Sequence, residues 1–171
     1  MAIYFFDTNA LVRRYLPGPG SEWIGQALKP QRPAHVLFIS ELTRVEMRSS
    51  LYKLERIFQY HSAFTDAAIQ RFERHLSLVA STPKDTAYRI VALGPDVLLR
   101  ASVLLRAYRS GKPHAIRTLD AIQLACALIA RDSLPPQERE HLLFVTSDKQ
   151  LIGVATHEGL TVLRPEDQPV W

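Results

Sequence analysis

The chain has little of what secreted or membrane proteins use. Cys126 is the one cysteine among 171 residues, so no disulfide can form within the chain. We therefore expect a reducing, cytoplasmic setting. No apolar run approaches the roughly 20 residues of a membrane-spanning helix. The N-terminal residues lack the charged segment and long apolar core of a secretory signal, so we expect no membrane association.

Several common catalytic motifs are also absent. The six histidines show no spacing typical of a zinc site. The sequence contains no G-x-S-x-G nucleophile motif, and its Gly-Lys dipeptide at 111–112 lacks the upstream glycine and the following Ser or Thr of a P-loop. These absences argue against zinc hydrolases, serine hydrolases of the α/β type and P-loop nucleotide hydrolases.

The sequence has the composition of a folded domain. Its length and its 47% apolar content suffice for one domain, and no repeat or linker divides residues 1–171. The net charge of +4 is a weak indication of an anionic partner. Short, continuously apolar segments that alternate with helical patterns predict an α/β fold, with a central and mostly parallel sheet between helical layers.

The predicted elements follow from hydrophobic periodicity and from helix stop signals. Ser40 is expected to cap a helix with Leu42, Val45, Ser49 and Tyr52 on its buried face, and Phe64, Ala68, Phe72, Leu76 and Val79 mark the next helix. These two helices predict a hairpin that protrudes from the sheet layer. The segment 80–92 is ambiguous and includes a candidate edge strand, and 132–141 is expected to be a loop. Strands are predicted at 2–6, 35–40, 141–146 and 160–163, and helices at 21–28, near 40–56, near 62–79, after Gly94 and Pro95, at 119–130 and at 148–157.

Four acidic residues stand where such a fold places ligands. Asp7 and Asp148 follow predicted strands, and the carboxyl ends of parallel strands share one edge of the sheet. Asp120 lies in the first turn of the most apolar helix, and Glu46 interrupts the apolar pattern of its own helix. Clustered carboxylates repel one another and require a cation, and an all-oxygen set suits Mg²⁺ or Mn²⁺. Such an ion activates water for phosphodiester hydrolysis.

Each acid also has a purely structural interpretation. Asp7 could cap a helix that begins near Ala10, and Asp120 could complement a helix whose N-cap is Thr118. Asp148 could complement the N-terminus of a helix that starts with a capping box of Ser147 and Gln150. Glu46 could pair with Arg48 or Arg117. For any single acid a structural role is the commoner one, and the joint placement of all four favours the metal site.

Four blocks of the sequence resemble PIN-domain ribonucleases, and most of all the VapC-type toxins of toxin–antitoxin pairs. They are "FFDTNALV", "ISELTRVEM", "IRTLDAIQLA" and "FVTSDKQLIGVATHEGLTVLRPED", in the family's order between Ile3 and Pro165. The resemblance implies a PIN-like three-layer sandwich and a metal-dependent endoribonuclease. It implies a homodimer and a VapB-like antitoxin that blocks the active site. It carries over Asp7, Glu46, Asp120 and Asp148 as the acidic set that holds Mg²⁺ or Mn²⁺, with Asn9, Thr146 and Ser147 as polar neighbours.

Three arginines near the acids are candidates for contact with RNA. Arg13, Arg14 or Arg117 is expected to orient the RNA backbone.

Two rival functions are compatible with parts of the sequence. One is a phosphatase of the haloacid dehalogenase type, which needs a second aspartate where this chain has Asn9. The other rival is a nucleic-acid-binding module without catalysis, which would explain the basic charge and leave the four acids unexplained.

Overall fold

A five-stranded parallel sheet forms the centre of the computed structural model, which describes residues 2–29, 35–77, 88–109 and 115–169. The strand order is β3-β2-β1-β4-β5, and all neighbours run parallel. The first strand is therefore central, and its carboxyl end lies in the middle of the sheet edge. The strands are β1 (Ile3–Phe6), β2 (Val36–Ser40), β3 (Tyr88–Val91), β4 (Leu142–Val145) and β5 (Thr161–Leu163).

Helices cover both faces of the sheet, as predicted for a three-layer α/β sandwich. Side chains alternate along β1, so that Ile3 and Phe5 face one layer while Tyr4 and Phe6 face the other. The helices α5, α6 and α8 cover the first face, and α1 to α4 cover the second. The bounds are α1 (Thr8–Leu11), α2 (Ser21–Ala27), α3 (Thr43–Phe58), α4 (Ser62–Ser77), α5 (Pro95–Ala107), α6 (Thr118–Ser133), α7 (Pro136–Arg139) and α8 (Lys149–His157).

The helix α6 is buried along most of its length, as its apolar sequence predicts. Its eight buried residues include four alanines and Cys126, and such small side chains let the helix pack closely on the sheet and on α5. The N-cap position is Arg117 rather than the predicted Thr118, which is the first helical residue. Within the described segments, no helix has the length and apolar character needed to cross a bilayer.

The buried face of α3 differs from the prediction. Thr43, Met47 and Leu51 are buried, whereas Val45 is 69% exposed and Tyr52 is 46% exposed. Ser40 does not cap the helix, because it is the last residue of β2 and its Oγ accepts a hydrogen bond from the Leu42 N–H. Apolar residues occupy more than one stripe of α3 with helical spacing, so periodicity alone selected the wrong stripe.

Other boundaries confirm or correct the predictions. The ambiguous segment contributes β3 at one edge of the sheet, and its residues 80–87 lie outside the described residues, as do residues 78–79 of the predicted second long helix. On α4 the buried residues are Thr65, Ala68, Ile69 and Phe72, so Phe64 of the predicted face is exposed. The segment predicted as a loop after α6 contains the short helix α7, which begins with Pro136 at a favourable first position.

The helices α3 and α4 pack on each other as the predicted hairpin. Their buried side chains join the core beneath Tyr4 and Phe6. Towards the connection the apolar side chains lie at the surface, with Ile57, Phe58 and Phe64 each more than half exposed. The Tyr60 ring lies between the rings of Phe58 and Phe64, at centroid distances of 5.7 and 6.1 Å.

Two alanine substitutions test the observed face of α3. Met47→Ala removes a fully buried side chain and should lower the free energy of unfolding by about 2–5 kcal/mol. Val45→Ala removes an exposed side chain and should change it by about 0.5 kcal/mol or less. Urea unfolding of both variants measures the difference, and equal losses would contradict the observed orientation of the helix.

Candidate active site

Asp7 lies at the carboxyl end of the central strand, where the chain turns from β1 into α1. Its backbone N–H continues the ladder by donating to the Val145 carbonyl at 3.0 Å, and its own carbonyl accepts from Ala10 and Leu11 in α1. The residue occupies the N-cap position of α1, yet its side chain makes no capping hydrogen bond. Its Oδ2 instead accepts from the Thr146 Oγ at 2.8 Å. The carboxylate is only 3% exposed and is aimed across the sheet edge towards the end of β4.

Glu46 is held by a hydrogen-bond network between the two helical layers. The Thr8 hydroxyl donates to Glu46 Oε2 at 2.7 Å, and the Gln123 side-chain amide donates to the same oxygen. Gln123 also donates to the Thr8 hydroxyl at 2.9 Å. The network fixes Glu46 of α3 relative to α1 and α6, and it replaces the predicted alternative pairing with Arg48, which contacts Glu73.

Sequence reasoning missed Thr8 and Gln123 as parts of this network. Gln123 is fully buried, and it follows Asp120 by three residues on a helix face that is apolar apart from these two residues. A buried amide requires hydrogen-bond partners, so its position in an apolar run was the available signal. Thr8 had no comparable signal, because a threonine next to a strand end is common.

Asp148 is the N-cap of α8. Its Oδ1 accepts hydrogen bonds from the backbone N–H groups of Gln150 at 2.7 Å and Leu151 at 3.1 Å. The cap is therefore Asp148 itself and not the predicted Ser147 and Gln150 box. The Thr146 hydroxyl accepts from the Asp148 N–H at 3.1 Å while donating to Asp7, so a single hydroxyl links both acids.

The four acids influence one another electrostatically. Burial raises the pKa of Asp7 to about 7, the Thr146 hydrogen bond opposes that rise, and the charges of Glu46 and Asp120 add to it. Burial also raises the pKa of Asp120, followed by repulsion from Asp148, while Arg117 acts in the opposite direction. Neighbouring carboxylates therefore make Asp7 and Asp120 harder to ionise, as expected where like charges share one site.

The donor chemistry fits a hard divalent cation. All four side chains offer carboxylate oxygens, and the repulsion that raises two of their pKa values is what a cation would relieve. Among the described residues, no three His, Cys, Asp or Glu side chains stand close enough as placed to form a ready-made ligand group. The acids form a looser set, spread around the carboxyl edge of β1 and β4.

The other predicted site residues divide into two groups. Asn9, Arg13 and Ser147 line a cleft together with Asp148, and Arg117 lies near enough to Asp120 to affect its pKa. Arg14 is turned elsewhere: its guanidinium donates to the Tyr88 hydroxyl at 2.6 Å and lies over the Tyr88 ring. The structure thus gathers two of the three predicted arginines around the acids.

Comparisons with known proteins agree with this architecture. A model of the PIN domain family matches residues 4–156. The chain is similar in fold to a crystal structure of VapBC2 from Rickettsia felis bound to a DNA fragment from their promoter, with a TM-score of 0.55 and 17% identity. That match covers 95% of this chain and 98% of the other. No curated protein matches the chain.

The raised pKa of Asp7 predicts how stability changes with pH in the absence of divalent ions. The unfolded carboxyl loses its proton near pH 3.9, whereas the folded one keeps it up to about pH 7. Between these values the folded state binds the extra proton, so the free energy of unfolding should fall as pH rises, by at most about 1.4 kcal/mol per pH unit. Asp7→Asn should flatten that fall.

Urea unfolding of both proteins in EDTA, from pH 4 to pH 8, measures the effect as the difference between the two curves. Titrating groups that do not interact with Asp7 contribute equally to both proteins and cancel in that difference. Parallel curves for wild type and Asp7→Asn would show that Asp7 ionises normally in the folded protein.

Proposed function

This chain belongs to the PIN domain family, and from that premise we propose that it is a metal-dependent endoribonuclease, the toxin of a VapBC-type toxin–antitoxin pair. PIN domains are generally nucleases. The observation that carries the proposal is the electrostatic coupling of Asp7, Glu46, Asp120 and Asp148 at one sheet edge. Carboxylates that lie near one another despite their mutual repulsion are typical of sites that hold a cation for phosphoryl chemistry.

We assign Asp7 and Asp120 as direct ligands, with Asp148 and Glu46 completing the set directly or through water. A bound Mg²⁺ or Mn²⁺ would supply an activated water and would offset charge on the phosphate in the transition state. The chain's own groups orient the ligands: Thr146 holds Asp7, and Thr8 with Gln123 holds Glu46. Each donor fixes one carboxylate oxygen and so reduces the reorganisation that binding requires.

The rival functions gain no support from the site. A haloacid dehalogenase-type phosphatase needs a carboxylate where the exposed Asn9 stands, and the family match covers most of the chain. A binding module without catalysis would have no use for carboxylates that repel both one another and the phosphate backbone. We therefore propose hydrolysis of RNA phosphodiester bonds as the reaction.

The proposed partners are a VapB-like antitoxin and a second copy of this chain. One solved structure with a similar fold is a VapBC complex, which motivates the antitoxin. We propose that an antitoxin segment lies across the acidic cleft and blocks it. For the homodimer we propose the outer face of the α3–α4 hairpin, where apolar side chains lie exposed: Val45, Tyr52, Ile57, Phe58 and Phe64.

The nuclease proposal predicts metal-dependent RNA cleavage that needs Asp120. The purified protein should cut RNA with Mg²⁺ or Mn²⁺ and should stop in excess EDTA. Asp120→Asn should lower the cleavage rate by about 100-fold or more, because the neutral amide is a poor ligand for a hard cation. In EDTA the variant should match or exceed the wild type in stability, since one source of repulsion is gone.

Asp96→Asn is the matched control for this experiment. Asp96 is likewise an acid in the first turn of a helix, and it is exposed at the start of α5. Asp96→Asn should lower the free energy of unfolding by about 0.3–1 kcal/mol and should leave RNA cleavage unchanged. Mg²⁺ should raise the melting temperature of the wild type and of Asp96→Asn more than that of Asp120→Asn. Wild-type cleavage that persists in EDTA, or Asp120→Asn that cuts at the wild-type rate, would refute the proposed site.

The dimer proposal predicts a dissociating substitution on the hairpin. Light scattering at micromolar concentration should give the mass of a dimer for the wild type. Phe58→Glu should give a monomer, because the interface would bury an unpaired charge. Leu99→Glu places the same charge on the exposed face of α5 and should leave the dimer intact. A monomeric wild type, or the opposite response of the two variants, would contradict the proposed interface.

A further inference from the structure

A cleft of about 320 Å³ runs from Asp148 along the side of α3. Its walls combine charged and hydrogen-bonding groups from three parts of the chain: Asn9 and Arg13 after β1, Ser50 and Lys53 on α3, and Ser147 beside Asp148. The volume is near the lower end of the range of about 300–1,000 Å³ found for small-molecule sites. It suits one nucleotide unit better than a folded protein segment.

The cleft continues the acidic site along one face of α3. Glu46, Ser50 and Lys53 are spaced by four and three residues, which places them on the same side of the helix. Seven residues of helix separate Glu46 from Lys53 by about 10 Å along the axis. Lys53 can therefore contact one group of a substrate while a neighbouring group of the same substrate is held at the acids.

The charges change sign along the cleft. Asp148 stands at the end that adjoins the proposed metal site, while Arg13 and Lys53 are the cations of the cleft walls. The guanidinium of Arg13 lies directly over Gly18. A Cβ at residue 18 would come within 2.2 Å of Arg13 Nη1, so the lack of a side chain there allows the guanidinium to lie in this place. An anion is the natural occupant of the cationic end.

Two polar atoms in the cleft-lining residues have no hydrogen-bond partner. They are Arg13 Nε and the Ser147 hydroxyl, and both are buried. Buried polar groups of this kind are normally satisfied, because leaving them unpaired costs free energy. A bound oxyanion that draws these side chains towards it would supply the missing acceptor.

We propose that this cleft binds the backbone phosphate next to the scissile one, with Lys53 as its main contact and Arg13 as the second cation. The inference rests on the proposed ribonuclease function, because it places the scissile phosphate at the four acids. Ser50, Ser147 and Asn9 are the neutral groups that complete the subsite. The site would therefore favour RNA strands over substrates that carry a single phosphodiester.

Lys53→Gln tests the subsite, with Lys29→Gln as the matched control. Both lysines are exposed, and Lys29 follows α2 outside the cleft. On an oligoribonucleotide that the wild type cuts, Lys53→Gln should lower kcat/KM by about tenfold, mainly through KM, and Lys29→Gln should not. The loss should be several times smaller on a dinucleotide that has only the scissile phosphate.

Binding of the same oligoribonucleotide in EDTA, measured by fluorescence anisotropy between 50 and 200 mM salt, gives a readout that needs no catalysis. Lys53→Gln should lower the slope of log Kd against log salt by about 0.7, the value expected for one lost phosphate contact on a single strand. Lys29→Gln should keep the wild-type slope.

These measurements separate the two proposals. A wild type that cuts RNA, with Lys53→Gln indistinguishable from Lys29→Gln in KM and salt slope, would overturn the subsite and leave the function standing. A wild type that does not cut RNA, with the slope still lowered by Lys53→Gln, would overturn the function and leave a phosphate-binding cleft. Equal losses on the dinucleotide and the longer strand would also overturn the subsite.

Discussion

The structure depends on a carboxylate buried at the end of the central strand. Asp7 ends β1 in the middle of the sheet, where strands β2 and β4 flank it and helices cover both faces. A buried carboxylate is expensive unless it is paired or hydrogen-bonded. Here the hydrogen bonds from Thr146 and the Thr8 backbone compensate only in part, since the pKa of Asp7 is still raised to about 7 by burial and by two neighbouring acids. The buried carboxylate of Asp7 therefore lowers the stability of the folded protein.

That constraint explains why hydrogen-bond donors surround the acids. Thr146 joins Asp7 to the segment before α8, and Gln123 joins Glu46 to the most buried helix. These links cross between the two layers of helices, beyond the edge of the sheet that separates them elsewhere. Asp7, Glu46 and Asp148 belong to different elements, and none of these three carboxylates can move away without breaking a hydrogen bond.

Sequence reasoning recovered the architecture and the placement of Asp7 for identifiable reasons. Continuous apolar strands predict a parallel sheet, and an acid that directly follows such a strand, as Asp7 does, must lie at its carboxyl edge. The orientation of α3 was not recoverable, because Met47 and Val45 lie in stripes with the same helical spacing. The hydrogen-bond partners of Gln123 and Thr8 could not be predicted, since they come from distant elements that only tertiary structure brings together.

The way three of the acids are anchored has a consequence for metal discrimination. Asp7 Oδ2 accepts a hydrogen bond from Thr146, and Glu46 Oε2 accepts from Thr8 and Gln123. Asp148 Oδ1 accepts from two backbone amides of α8. Each of these acids therefore has one oxygen outside these hydrogen bonds, and that oxygen is the less hindered one for an ion to contact. Calcium commonly takes bidentate carboxylates and six to eight oxygens, whereas magnesium accepts single oxygens in an octahedron completed by water. At the proposed site, carboxylates that offer single oxygens would suit magnesium better than calcium.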